Sequence, residues 1–128
     1  MDTTREIGNK GEDAACEWLL KNGFTVLERN FTIRGGELDI IAQENDYLVF
    51  VEVKTRKSGS MVSGAEAVDR KKQTCIVKAA AQYIYTHPEQ AELQPRFDVA
   101  EILTEQGVPR KIRYTRNAFD TTGMEILF

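Results

Sequence analysis

The chain has 128 residues, 41% of them hydrophobic, which suffices for one packed domain without disulfide staples. A formal charge of -3 and a pI near 5.3 argue against a protein that coats nucleic acid indiscriminately. No apolar run reaches the roughly 18 residues that a membrane helix needs. The start, Met1 to Glu6, lacks the pattern of a secretory signal, so a soluble cytoplasmic protein without a membrane partner is expected.

Thr3-x-x-Glu6 reads as a capping box that opens a helix. Ile7, Gly11, Ala14, Ala15, Trp18 and Leu19 recur there at helical spacing, and Gly23 ends it. Phe24 to Phe31 reads as a strand, followed by a turn at Arg34-Gly35-Gly36. Glu37 to Ala42 and Tyr47 to Thr55 are β-rich runs joined across Glu44-Asn45-Asp46, which predicts a hairpin. Arg56 to Met61 is polar. Ser63-x-x-Glu66 is a second capping box, predicting a helix with Val68, Cys75, Ile76, Ala79, Ala80, Tyr83 and Ile84 on one stripe and an end at His87-Pro88. Arg96 to Leu103 and Lys111 to Arg116 read as strands around Gln106-Gly107. Met124 to Phe128 is apolar for a free tail, suiting an edge strand or a docked tail. The order α-β-β-β-α-β-β implies an α/β domain with a mixed sheet flanked by helices.

Cys16 and Cys75 form no CxxC pair, and His87 is the lone histidine. A zinc site and a Ser-His-Asp machine are therefore both unexpected. Any chemistry must rest on carboxylates, lysines and a borrowed metal. The alternation in Gly36 to Ile41 puts Leu38 and Ile40 on one face and Glu37 and Asp39 on the other. In Val49 to Lys54 the valines share one face, and Phe50, Glu52 and Lys54 the opposite one. Charges set into so apolar a strand must be paired or functional. The bland reading is the polar side of an amphipathic sheet.

Phosphodiester hydrolysis gives this arrangement a use. A divalent cation neutralises charge on the phosphate and acidifies a bound water. Mg²⁺ or Mn²⁺ on hard oxygens needs only one or two carboxylates beside the phosphate. Asp39 and Glu52 would supply them, with Lys54 holding or deprotonating the attacking water. Lys54, Arg56 and Lys57 begin a series of basic clusters continued by Arg70, Lys71 and Lys72 and by Arg110, Lys111, Arg113 and Arg116.

Asp39, Glu52, Val53 and Lys54 together resemble the PD-(D/E)xK nuclease signature, and αβββαβ is similar to the core of that superfamily. Gly8-Asn9-Lys10-Gly11-Glu12-x-Ala14, Gly36 to Ile41, Phe50 to Arg56, Lys72-Gln73, Ala79-Ala80 and Arg96-Phe97-Asp98-Val99 follow in order. This series resembles the uncharacterised bacterial YraN-like family, itself similar to archaeal Holliday junction resolvases and restriction endonucleases. The resemblance implies a restriction-endonuclease-like fold in a single domain, residues 1–128. It implies Asp39, Glu52 and Glu12 as metal carboxylates, Lys54 as the catalytic lysine and Glu37 as an outer or extra ligand. Arg56, Lys57 and Lys72 would contact phosphate, the partner would be DNA, branched DNA included, and the working unit a homodimer. A non-catalytic nucleic-acid-binding module and a protein-interaction adaptor are the competing expectations.

Overall fold

The computed structural model describes residues 4–57 and 67–124. Among these the chain forms α1 (Thr4–Lys21), β1 (Thr25–Ile33), β2 (Gly36–Glu44), β3 (Tyr47–Lys57), α2 (Arg70–Thr86), a 3₁₀ turn at Pro88–Gln90, β4 (Gln94–Glu105) and β5 (Val108–Phe119). The order is the expected one. Every strand runs further at its C-terminal end than its apolar pattern suggested, because backbone ladders extend past the last residue that needs burial.

The second helix begins later than expected. Asp69 caps it, its carboxylate accepting from the Lys72 amide at 2.8 Å, so Val68 precedes the helix. Ser63 and Glu66 lie outside the described residues, as do Thr3 and the tail from 125 to 128. Met124 packs, half-buried, against the core.

The five strands lie in chain order in one mixed sheet. Neighbours are antiparallel except β3 and β4, the parallel pair that α2 connects. One face, with Leu38, Leu48, Phe50, Phe97 and Val99, meets Ile76, Ala79, Ala80 and Tyr83 of α2. The other, with Ile40, Val49, Val51, Ala100 and Ile102, meets Ala15 and Leu19 of α1. The valine alternation in β3 is as expected. That in β2 is not, because Leu38 faces α2 whereas Ile40 faces α1. The alternation breaks at Asp39.

Two further contacts position the elements. A Cβ on Gly11 would collide with Thr55 Oγ1, so glycine lets α1 lie directly on β3. Asp98, fully buried, accepts from Arg96 Nε and Nη2 at 2.9 Å each, from Tyr114 Oη at 2.7 Å and from the Asn117 amide at 2.8 Å. Arg96 also reaches Glu44 at 2.7 Å. This network ties β2, β4 and β5 together. Tyr83 lies in the core, and Tyr85 is exposed.

Candidate functional site

The β2–β3 ladder runs from Glu44–Tyr47 to Ile40–Val51 and stops. Beyond that pair β2 stays with β1 and β3 stays with β4, so the two strands part at Asp39. The amide of Val53 would be left without a ladder partner, and Asp39 Oδ2 takes its hydrogen bond at 2.8 Å. The alternation breaks where the carboxylate is used in place of a backbone carbonyl.

Glu52 stands beside Asp39 and is buried. Burial first, and then the neighbouring Asp39 charge, push its pKa up to about 8, against the opposing charges of Lys72 and Lys54. Lys54 Nζ lies 3.6 Å and Lys72 Nζ 3.9 Å from the same oxygen, Glu52 Oε1. Cations on β3 and α2 thus converge on one buried carboxyl.

On the other side of Asp39 stands Glu12 of α1, half-buried. Its pKa is raised by burial and then by Asp39. Its Oε1 is buried and has no hydrogen-bond partner among the described residues. Glu12 and Asp39 line a cleft of about 800 Å³ whose wall includes Arg56, Lys57 and the β4–β5 turn at Thr104 to Gly107.

The predicted residues therefore gather in two linked groups. Asp39, Glu52, Lys54 and Lys72 form one; Glu12, Asp39, Arg56 and Lys57 share the cleft. Asp39 belongs to both. Arg56 and Lys57 line the cleft, while Lys54 and Lys72 approach Glu52. Among the described residues no three carboxylate, imidazole or thiol side chains stand close enough together to hold an ion. Glu37 is exposed, and its charge helps to raise the pKa of Glu12. Glu101 on β4, which the sequence reading passed over, is fully buried beside Arg56, with Arg56 Nε 3.8 Å from its Oε2. The available signal was an acid in a strand phase otherwise filled by Phe97, Val99 and Leu103.

The chemistry of the donors suits a hard divalent cation held by one or two carboxylates beside a phosphate, not by all three at once. Asp39 stands next to Glu52 on one side and Glu12 on the other, a Glu12 oxygen is buried and unpaired, and the adjacent Asp39 and Glu52 carboxyls repel each other's charge.

Residues 11–102 match the uncharacterised protein family UPF0102. The chain is 47% identical over 116 residues to a UPF0102 protein of Dictyoglomus thermophilum, covering 90% of this chain and 98% of the relative. It is 44% identical over 115 residues to one from Syntrophomonas wolfei, with 90% and 98% covered. A UPF0102 protein of Caldicellulosiruptor bescii is 42% identical over 116 residues, again with 90% and 98% covered. The matched stretch contains Glu12, Asp39, Glu52, Lys54 and Lys72.

Proposed function

The chain belongs to the uncharacterised protein family UPF0102, the YraN-like family that its motifs resemble, and we propose that it is a Mg²⁺- or Mn²⁺-dependent nuclease that hydrolyses phosphodiester bonds in DNA, with branched DNA among its substrates. The observation that carries this reading is the Asp39 carboxylate held between two parting strands, against a buried Glu52 that two lysines approach. A helix, three antiparallel strands, and a helix crossing to a parallel strand are similar to the restriction-endonuclease-like core, and this likeness adds support.

In this reading Asp39 would hold the ion with Glu52 or with Glu12, since the three carboxyls are not gathered within reach of one ion, and Glu37 would lie at the margin. When bound, the ion supplies neutralising charge at the phosphate and an acidified water. Lys54 would orient that water and, once deprotonated, could take its proton; the 3.6 Å approach of its amine to Glu52 Oε1 supports this reading. Arg56 and Lys57 on the cleft wall and Lys72 on α2 meet phosphate oxygens without reading bases. A homodimer and a cytoplasmic setting belong to the same proposal; among the described residues no helix is long and apolar enough to cross a membrane.

The test is to incubate the purified protein with linear, nicked, single-stranded and four-way DNA, with Mg²⁺, Mn²⁺ or a chelator. Cleavage that needs the ion and disappears in Asp39→Ala is the expected result. Salt-sensitive binding without cleavage would leave a non-catalytic nucleic-acid-binding module. Absence of both would leave the adaptor.

A further inference from the structure

On the α2 side of β4 the residues alternate Phe97, Val99, Glu101, Leu103, and all four are buried. A carboxylate in that series is costly to bury unless it is paired, whereas leucine or methionine would pack there without that cost. Its surroundings supply the pairing. Glu101 is in register with Lys54 of β3 on one side and with Arg113 of β5 on the other. Residues in register share a face, about 4.8 Å apart across the strands. Arg56, two residues beyond Lys54, brings its Nε to 3.8 Å from Glu101 Oε2. That Nε is buried and has no hydrogen-bond partner among the described residues. The inner edge of the guanidinium therefore faces Glu101 through charge at 3.8 Å and not through a hydrogen bond, while Arg56 also lines the cleft.

We propose that Glu101 is a positioning residue: a buried anion that fixes Arg56, and with it the row containing Lys54, so that the guanidinium meets a phosphate in the cleft already oriented. The proposal rests on the nuclease reading for its substrate and on the geometry of β3, β4 and β5 for everything else. An arginine whose inner edge is held loses less rotamer freedom when its outer nitrogens engage phosphate. Coulomb's law alone predicts the opposite of positioning. Removing a negative charge near the bound backbone should tighten DNA binding. Positioning predicts that it weakens, so the sign of the effect decides.

The experiment uses the full chain as wild type, Glu101→Gln, Glu101→Met, Arg56→Ala and the Glu101→Gln/Arg56→Ala pair. Fluorescent four-way DNA is titrated at two ionic strengths with a chelator present. Without DNA, the Nε–Hε resonance of Arg56 is followed by NMR. Both Glu101 variants should stay folded but melt below wild type, since each leaves the buried Arg56 Nε without its anion. Each should bind DNA about tenfold more weakly, the loss expected for one charge-assisted phosphate contact. In the Arg56→Ala background the Glu101 change should cost nothing more. The Arg56 signal, slowly exchanging in wild type, should broaden in Glu101→Gln. Equal or tighter binding by Glu101→Gln, a full second loss in the double variant, or an unchanged Arg56 resonance would each overturn the proposal. So would loss of folding in both Glu101 variants, which would make the residue purely structural. If wild type binds no DNA the nuclease reading falls, and the Arg56 resonance by itself then decides whether Glu101 holds this side chain.

Discussion

Asp39 accepts the hydrogen bond of the Val53 amide at 2.8 Å, in the gap where β2 leaves β3. The carboxylate therefore has a structural task that needs an acceptor, and in the proposed nuclease it has a chemical task that needs a charge. Asn keeps an acceptor oxygen and loses the charge, whereas Ala loses both. Asp39→Asn should retain near wild-type stability and lose divalent-ion affinity. Asp39→Ala should lose ion affinity and in addition about 1–3 kcal/mol of stability, the cost of leaving an amide unsatisfied. Urea unfolding and Mn²⁺ calorimetry on both variants check this, and equal stability of the two would remove the structural task.

Glu52 gives the stability of the ion-free protein a pH dependence. Its folded pKa is pushed up to about 8, while an unperturbed glutamate titrates near 4.5. Between those values the folded protein keeps a proton that the unfolded chain has released. The contribution of Glu52 is thus complete below about 4.5 and is lost as pH rises towards 8. Each pH unit between the two midpoints corresponds to about 1.4 kcal/mol, so a loss of a few kcal/mol is the upper range. Glu12, also raised, acts in the same direction. Glu44 is lowered by its hydrogen bond to Arg116, so its effect falls below this window. Melting temperature in chelator should decline from pH 5 to 8, and Glu52→Gln should flatten most of that decline. Millimolar Mg²⁺ should raise the melting temperature more at pH 8 than at pH 5.5, because binding needs the deprotonated carboxylate. A flat wild-type profile would show that Glu52 titrates normally.

The residues legible in the sequence are those whose relation is local. Glu52 and Lys54 share a strand, and Asp39 is one short hairpin away, so alternation and spacing brought them together. The Asp98 network and Glu101 depend on the register between β3, β4 and β5, which no local pattern encodes. Lys54 is in register with Glu101 only because α2 returns the chain parallel to β3. The face of Ile40 was misjudged for a related reason. Strict alternation assumes an unbroken ladder, and here the ladder ends at Ile40 itself. The start of α2 was missed because Asp69, with no apolar partner in its pattern, supplies the cap.

Arg96, Phe97, Asp98 and Val99 run together in the sequence, but Asp98 and Arg96 face Tyr114 and Glu44 rather than the cleft. Their role is to hold β2, β4 and β5 in place. Asp98→Ala leaves the buried Arg96 with Glu44 as its remaining anionic partner and strips Tyr114 and the Asn117 amide of their acceptor. Removing one partner of such a buried pair costs about 3–5 kcal/mol. Denaturant unfolding should show a loss of that order, while Mn²⁺ affinity per folded molecule stays at the wild-type value. A normal midpoint together with lost ion binding would move Asp98 into the functional site.

Lys54 separates an enzyme from a binder. Asp39→Ala removes an ion ligand, so ion binding and cleavage should collapse together. Lys54→Ala leaves Asp39, Glu52 and Glu12 in place, and Lys72 still stands 3.9 Å from Glu52 Oε1. The ion should therefore remain bound. What is lost is the group that orients or deprotonates water, a role worth about 10²–10⁴ in rate. DNA affinity should fall only modestly, by one charge near the phosphate. A binding module reverses the emphasis. There Lys54→Ala weakens DNA binding, while Asp39→Ala, by removing a charge that repels phosphate, binds equally or more tightly without metal. Calorimetry with Mn²⁺ and four-way DNA, beside cleavage rates for wild type and both variants, distinguishes the two. Wild-type protein that takes up no divalent ion at millimolar concentration in the presence of uncleaved junction DNA would leave the fold without the catalysis.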